Sequence, residues 1–167
     1  MKVTNEFEIN SFVFSSSCTV YGTPKNIPVD EKNKVQPAFS PYGYTKQVGE
    51  KILTDFFRTK PETTLTLLRY FNPIGAHPSA LIGELPLGVP SNLVPFITQS
   101  AIGKIGPLTI HGNDYATFDG TCIRDYIHVV DLATAHVLSL NNQSIEAKFY
   151  NVGLGKGSSV LEVVKKF

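Results

Sequence analysis

Phe12-Val13-Phe14-Ser15-Ser16-Ser17 is a short apolar run that ends abruptly in three serines. This pattern is typical of a buried β-strand whose carboxyl end opens into a polar site. Residues 42–58 follow Pro41, which suits the entry of a helix. Residues 63–71 combine leucines and threonines with β character and stop at Asn72-Pro73. Strand, helix and strand in this order form a βαβ unit, which predicts a parallel sheet and an α/β fold.

The remainder of the chain carries weaker signals. Residues 73–91 are rich in glycine and proline and predict a long loop, which in a compact domain is more often functional than idle. Asn92 can cap a helix, and Asp131 can cap another. The patterns predict helices over 93–103, 132–140 and 160–167, strands over 108–110 and 149–152, and a turn over 153–157.

Composition restricts the classes of function. The chain has 167 residues, 42% of them hydrophobic, which supplies an ample core and excludes wholesale disorder. A net charge of +1 argues against nucleic-acid and anionic-membrane partners. Cys18 and Cys122 are too few for a disulfide framework or a four-cysteine metal site. Neither a signal peptide nor an apolar membrane span is recognisable, so we expect a cytoplasmic protein. His77, His128 and His136 fall on separate elements without the spacing of metal ligands, so we expect no metal.

Tyr42 and Lys46 lie four residues apart, which places them on one face of the predicted helix. A free tyrosine ionises near pH 10 and is a poor base at neutral pH, but a nearby cation favours a phenolate. Ser17, at the end of the preceding strand, can supply a hydroxyl that holds the substrate. Together they predict a proton-transfer device for a carbinol, with a hydride acceptor beside it. Taken alone, such a tyrosine–lysine pair is more often a surface tyrosine and a solvated lysine.

Five spaced motifs strengthen the interpretation. In chain order they are Phe14-Ser15-Ser16-Ser17-Cys18-Thr19-Val20-Tyr21-Gly22, Pro41-Tyr42-Gly43-Tyr44-Thr45-Lys46, Leu68-Arg69-Tyr70-Phe71-Asn72-Pro73-Ile74-Gly75-Ala76-His77, Gly112-Asn113-Asp114-Tyr115 and Arg124-Asp125-Tyr126-Ile127-His128-Val129-Val130-Asp131-Leu132-Ala133. From about Phe12 to Phe167 the series closely resembles the UDP-glucose (UDP-galactose) 4-epimerases of the extended short-chain dehydrogenase/reductase family.

The resemblance implies a fold, a cofactor and a reaction. The fold is a partial Rossmann-like parallel sheet with a smaller substrate-binding lobe. Residues 1–72 would be the C-terminal portion of the NAD-binding Rossmann domain. Residues 73–167 would be the UDP-sugar-binding region, partly returning to the Rossmann sheet. The reaction is the interconversion of UDP-galactose and UDP-glucose, as in galactose metabolism: C4 is oxidised by NAD, the 4-keto sugar rotates, and C4 is reduced again.

The resemblance also assigns roles to residues around the reacting centre. Tyr42 would be the catalytic base, Lys46 would hold the nicotinamide ribose and favour the ionised phenol, and Ser17 would hydrogen-bond the reacting hydroxyl. The cofactor pocket would be formed by Ser15, Ser16, Tyr42, Lys46, Tyr70 and Phe71.

Further residues correspond to nucleotide-sugar contacts of the family. Asn72 would bind the nucleotide-sugar, Asn92 and Leu93 would contact the diphosphate, and Thr109 and His111 would lie on the strand that contacts uridine. Arg124 would pair with the diphosphate, a role that suits the fork of a guanidinium.

The chain departs from the family at its start. Relatives carry a Gly-x-x-Gly-x-x-Gly loop that seats the dinucleotide pyrophosphate, and the first eleven residues are too few for that unit. Residues 153–158 are glycine-rich but lie at the wrong end of the sheet order, so we expect a packing role for them. We therefore expect a fragment that lacks the N-terminal dinucleotide-binding loop and the C-terminal end.

Two other functions stay open. The chain could be an inactive truncated remnant that only binds nucleotide-sugar. It could also be another nucleotide-sugar short-chain dehydrogenase, such as a dehydratase, although Cys18-Thr19 after Ser17 lacks the acidic pair expected there.

Two features of the sequence are open to more than one interpretation. Asp114 and Asp119 lie among glycines and read as loop carboxylates, not as an acid–base pair. Val48, Ile52 and Phe56/Phe57 recur at three-to-four-residue spacing and predict one apolar helix face. That face is equally compatible with the core and, because the family uses this helix in its dimer interface, with a homodimer contact through residues 42–58.

Overall fold

The computed structural model describes residues 1–141, 144 and 146–167. In chain order its elements are α1 (Lys2–Glu6), β1 (Ser11–Ser17), a 3-10 turn (Cys18–Tyr21), α2 (Pro41–Phe57), β2 (Thr64–Tyr70), β3 (Asn72–Ile74), α3 (Leu93–Ala101), β4 (Ile123–His128), α4 (Val129–Ser139), β5 (Lys148–Val152), β6 (Gly157–Ser159) and α5 (Val160–Lys166). The chain divides into two units, Met1–Phe71 with Asp131–Gly153, and Asn72–Val130 with Leu154–Phe167. The assignment of NAD and UDP-sugar binding to residues 1–72 and 73–167 stays a prediction.

A parallel sheet forms the centre of the first unit. Its strand order is β1-β2-β5, and both neighbouring pairs run parallel. Helix α2 connects β1 to β2, so the predicted βαβ unit is confirmed. Ser17 lies opposite Tyr70, and Tyr70 lies opposite Val152. The three strands therefore end at the same edge of the sheet, where β1 presents its serines.

Helix α2 begins where the sequence predicts, for two local reasons. The Ser40 side chain accepts a hydrogen bond from the Gly43 N–H, and Pro41 occupies the first turn. The helix packs Leu53 and Phe57 against Leu65 and Leu67 of β2. The aromatic rings of β1 and β5 join this core. Apolar burial of this kind is the main source of fold stability.

The core alternative for the predicted apolar face of α2 does not hold at two of its positions. Val48 and Ile52 are 36% and 50% exposed. The buried positions of the helix are instead Gly43, Glu50, Leu53 and Phe57. A charged residue, Glu50, occupies the buried face because a partner from the sheet compensates it, which hydrophobic spacing alone does not reveal.

The second unit contains a smaller sheet of β3, β4 and β6. Strand β3 pairs parallel with β4, and β4 pairs antiparallel with β6. Strand β3 lies inside the segment predicted as a loop, and the sequence signals did not indicate β4 or β6. The strand predicted over residues 108–110 is wrong, because this segment is irregular and pairs with no strand among those described. In the described part of the chain, no helix combines the length and apolarity needed to cross a bilayer.

Candidate active site

The three serines at the end of β1 use their hydroxyls in three different ways. The Ser15 hydroxyl lies 2.9 Å from Nε2 of His136 on α4. The Ser16 hydroxyl donates to Glu50 Oε1 at 2.5 Å, and Ser16 is fully buried. The Ser17 oxygen accepts from the Thr19 N–H at 3.2 Å, which caps the 3-10 turn. Ser17 retains its O–H as a donor, because a hydroxyl can donate once while accepting.

Lys46 reaches across from α2 to this strand end. Its Nζ donates to the Ser15 carbonyl oxygen at 2.8 Å and lies 5.5 Å from the centre of the Tyr42 ring. Nζ is also 5.4 Å from the Phe14 ring centre. The Tyr42 side chain is accessible, with 52% of the residue exposed. An ammonium held beside an accessible phenol and a serine-lined strand end suits proton transfer to or from a hydroxyl.

His136 is a member of this cluster that the sequence did not single out. Its Nδ1 lies 2.8 Å from the Leu132 carbonyl oxygen, and its ring centre lies 6.2 Å from that of Tyr70. Because a carbonyl oxygen only accepts, Nδ1 carries a hydrogen, and the tautomer with its hydrogen on Nδ1 alone leaves Nε2 to accept from the Ser15 hydroxyl. Its position in the middle of an apolar helix, four residues after Leu132, was the available signal.

Beneath the serines lies a buried ion pair that the sequence also did not single out. Arg69 on β2 binds Glu50 in a bidentate manner, from Nε at 2.9 Å and from Nη2 at 2.7 Å. Its Nη1 donates to the Tyr21 hydroxyl at 3.1 Å, and Tyr21 donates to Asn151 Oδ1 at 2.7 Å. The side chains of Arg69 and Glu50 are 6% and 8% exposed. An arginine in a strand of mostly uncharged, buried residues signals that a partner must exist.

The guanidinium of this pair is held in its charged form. Burial works against the charge, but the hydrogen bonds from Arg69 to Glu50 and Tyr21 outweigh it, so the pKa of Arg69 lies above its usual range. The rings of Tyr21 and Phe149 lie 4.9 and 4.7 Å from the guanidinium carbon. Aromatic contacts of this kind add to the attraction.

The second unit contains a cavity of about 330 Å³. A cavity of this size is at the lower end of those that hold small ligands, roughly 300–1,000 Å³. It is lined by Asn72, Pro73, Ile74, Ser91, Asn92, Leu93, Val94, Pro95, Cys122, Arg124, Tyr126 and Val160. Four residues that the sequence predicted as substrate contacts, namely Asn72, Asn92, Leu93 and Arg124, are therefore brought together.

Three polar side chains of the cavity wall already form hydrogen bonds within the protein. Asn72 Nδ2 donates to the Asp125 carbonyl oxygen at 2.7 Å. Asn92 precedes α3 and donates to Glu84 at 3.2 Å. Arg124 is exposed and donates from Nη1 to the Ile123 carbonyl oxygen at 2.8 Å. Burial raises the pKa of Tyr126 in spite of the nearby Arg124 charge, so this phenol stays protonated at neutral pH.

Other predicted residues lie outside the cavity wall. Thr109 and His111 are exposed on the irregular segment and do not line it. Tyr126 and Cys122 line it although the sequence did not assign them. Both lie within two residues of Arg124, and that proximity was the signal that could have found them. Tyr70 and Phe71 are half-buried at the edge of the first sheet, beside the serines of β1.

Two carboxylates have local structural partners. Asp119 accepts from the Thr121 N–H and hydroxyl, at 2.9 and 2.8 Å, and from the Ser159 hydroxyl. The Ser159 bond is the largest cause that lowers the pKa of Asp119. Asp125 accepts from the backbone N–H groups of Leu154 and Gly155, each at 2.9 Å. Those amides of the glycine-rich turn are thus already occupied by a protein carboxylate.

Comparison with known proteins gives consistent matches. Residues 1–153 match the family model described as the NAD dependent epimerase/dehydratase family. UDP-glucose 4-epimerase 2 of Oryza sativa subsp. japonica is 53% identical over 171 residues, covering 100% of this chain and 42% of that protein. UDP-glucose 4-epimerase of Yersinia enterocolitica is 52% identical over 159 residues, covering 95% of this chain and 47% of that protein.

A solved structure matches equally well. The crystal structure of UDP-glucose 4-epimerase from Bifidobacterium longum in complex with NAD+ and UDP superimposes with a TM-score of 0.92 at 47% identity. The match covers 98% of this chain and 49% of that chain. The chain thus spans about half the length of these relatives, and its α/β fold is that of the Rossmann-type epimerases.

Proposed function

The chain belongs to the NAD dependent epimerase/dehydratase family, and from this premise we propose that it supplies the proton-transfer groups of a UDP-galactose/UDP-glucose 4-epimerase. The reaction is oxidation at C4, rotation of the 4-keto sugar and reduction on its other face. One observation carries the proposal: Lys46 Nζ binds the Ser15 carbonyl oxygen while lying 5.5 Å from the Tyr42 ring. This places the cation beside both the phenol and the serine-bearing strand end.

In the proposed reaction, the protein residues move and hold one proton. The Tyr42 oxygen takes the proton of the sugar 4-hydroxyl and later returns it. The Lys46 ammonium lies beside the Tyr42 ring and provides a positive charge there. Ser17 donates its hydroxyl hydrogen to the sugar oxygen; its own oxygen accepts from the Thr19 N–H, which leaves that hydrogen available. NAD, when bound, supplies the acceptor for the C4 hydride and gives the hydride back.

The side chains of the first unit fit such a cofactor. Lys46 has three N–H donors, and the Ser15 carbonyl accounts for one, which leaves donors for a ribose hydroxyl. Tyr70 and Phe71 are half-buried aromatic residues suited to flank a nicotinamide ring. Ser15 offers its hydroxyl, shared with His136. Ser16 is fully buried, so in this proposal it contributes through Glu50 and does not touch the cofactor.

We assign the diphosphate of the nucleotide-sugar to the cavity of the second unit. Arg124 is its exposed cation, and a guanidinium fork matches phosphate oxygens. Asn72, Asn92 and Leu93 line the same cavity. Thr109 and His111 remain the proposed uridine contacts, because their segment resembles the one that contacts uridine in the family.

Three finer assignments complete the proposal. The enzyme would act in galactose metabolism and in the cytoplasm, a proposal that rests on its similarity to the UDP-glucose 4-epimerases. A homodimer would form through α2. The exposure of Tyr44, Val48 and Ile52, at 62%, 36% and 50%, supports that interface.

The test uses the 167-residue chain and a fusion protein. In the fusion, the chain replaces the matching segment of the Yersinia enterocolitica relative. Each protein is incubated with NAD and UDP-galactose, and UDP-glucose is measured. We expect the fusion to form UDP-glucose, and Tyr42→Phe to lower its kcat by about 10²–10⁴-fold. Tyr44→Phe, on the same helix and 62% exposed, is the matched control and should retain activity.

Each outcome is informative. Absence of UDP-glucose from the wild-type fusion, or full activity of Tyr42→Phe, would refute the proposal. Calorimetric binding of UDP-galactose without turnover would instead identify a remnant that only binds nucleotide-sugar.

A further inference from the structure

Glu50 continues the helix face that carries the proposed catalytic pair. Tyr42, Lys46 and Glu50 succeed one another at intervals of four residues on α2, and such residues lie above one another on a helix. Lys46 binds the main chain of Ser15, and Glu50 binds the side chain of Ser16. The same face therefore contacts two consecutive residues of β1, one helical turn apart.

Arg69 holds the Glu50 carboxylate in one orientation. Both carboxylate oxygens accept from the guanidinium, and Oε1 additionally accepts from Ser16. Bidentate pairing of this kind fixes geometry as well as charge. Arg69 itself lies directly opposite Ser16 in the sheet and contacts Tyr21, in the turn that follows Ser17. The ion pair thus touches the strand end from the helix side and from the neighbouring strand.

We propose that Glu50 is a positioning residue for the proposed proton transfer: through Ser16 it holds the end of β1 at a fixed distance from the helix face of Tyr42 and Lys46. The inference rests on the proposed function and adds to it a residue that does not touch substrate. Ser16 is the link, because its hydroxyl joins the Glu50 carboxylate to the residue between Ser15 and Ser17. A displacement of about 1 Å at reacting groups lowers rates by up to roughly 10²-fold.

The first test reads the position of Lys46 without requiring activity. The 167-residue chain and its Ser16→Ala and Glu50→Gln variants are treated with limiting acetic anhydride, and acetylation is measured by mass spectrometry. Lys51 is the internal reference, because its side chain is 72% exposed. We expect the Lys46-to-Lys51 ratio to rise by roughly threefold or more, since local release of a contact exposes the amine. Glu62→Gln, at an exposed carboxylate outside α2, is the control and should leave the Lys46-to-Lys51 ratio unchanged.

The second test separates positioning from binding in the fusion protein. Ser16→Ala and Glu50→Gln should each lower kcat by about 10-fold or more, with KM for UDP-galactose changed less than twofold because the cavity residues are untouched. The double variant should be no slower than the slower single variant, because both substitutions break the same link. Urea unfolding of each variant at the assay temperature establishes that the protein measured is folded.

The outcomes distinguish the two proposals. An unchanged Lys46 labelling ratio in both variants overturns the positioning role, whatever the activity of the fusion. A raised ratio with unchanged kcat, or losses confined to KM, also overturns it while leaving the proposed function intact. An inactive wild-type fusion refutes the proposed function and with it the role assigned to Glu50.

Discussion

Replacement of Arg69 by methionine should remove a large part of the stability of the first unit. Methionine fills similar space but leaves the Glu50 carboxylate, with its side chain 8% exposed, facing a partner that has lost its charge. The substitution deletes two hydrogen bonds to Glu50 and one to Tyr21. Breaking a buried pair by removing one member costs about 3–5 kcal/mol. Against a typical total of about 5–15 kcal/mol, that loss is severe.

The assay is urea unfolding of the 167-residue chain, monitored by circular dichroism. Lys51→Met is the matched control, because Lys51 pairs with Asp55 on the same helix but is 72% exposed. Exposed pairs contribute about 0–1 kcal/mol, so the control should lie close to the wild type. A double variant, Glu50→Leu with Arg69→Met, should recover most of the loss, because it leaves no buried charge.

Two results would refute this reasoning. A loss below about 1 kcal/mol for Arg69→Met would mean that water reaches the pair and compensates Glu50. A double variant as unstable as Arg69→Met alone would mean that the cost arises from lost packing around Tyr21 and Phe149 and not from the unpaired carboxylate.

Three further predictions concern other parts of the chain. Asp119→Asn should weaken the fall in melting temperature at acidic pH. The pKa of Asp119 is lowered in the folded state, so its contribution to stability is present above about pH 4 and is lost as pH falls through the folded-state pKa. A melting temperature that depends on acidic pH as it does in the wild type would contradict this. Arg124→Gln should raise KM for UDP-galactose in the fusion by roughly 10–100-fold, as expected for loss of a hydrogen bond to a charged group; equal KM values in a steady-state assay would exclude the diphosphate role. Gly22→Ala should lower stability by about 1–3 kcal/mol, since Gly22 has φ +61° and a methyl group there would meet the Pro37 carbonyl oxygen; an unchanged urea midpoint would show that the turn adapts.

The βαβ unit was predictable because local signals and the tertiary structure agree. The apolar run of β1, the Ser40-Pro41 entry of α2 and the leucine-rich β2 each carry their own pattern. The weaker elements were not predictable in this way. Strand β4 reads Ile-Arg-Asp-Tyr-Ile-His, which mixes charged and apolar residues without regular alternation. It forms because β3 and β6 pair with its two edges, and such partners lie far away in sequence.

In the candidate site, too, some residues could be selected from the sequence and others could not. Tyr42, Lys46 and Ser17 could be selected from spacing and residue type. Arg69 could be suspected of having a buried partner, but nothing in the sequence identifies Glu50, 19 residues away, as that partner. The segment with Thr109 and His111 has β-favouring residues, but strand propensity is weak without a neighbouring strand to pair with.

The carbonyl oxygen and the hydroxyl of Ser15 bind residues of two different helices, α2 and α4. The effect of a substitution at this position therefore differs between the two contacts. Its carbonyl oxygen binds Lys46 and its hydroxyl binds His136. Every amino acid provides a backbone carbonyl, so a substitution at position 15 retains the acceptor of the Lys46 hydrogen bond. The bond to His136 depends on the serine itself. Substitution of Ser15 would therefore remove the hydrogen bond to His136 of α4 and keep the one to Lys46 of α2, so the two contacts can be separated by mutation.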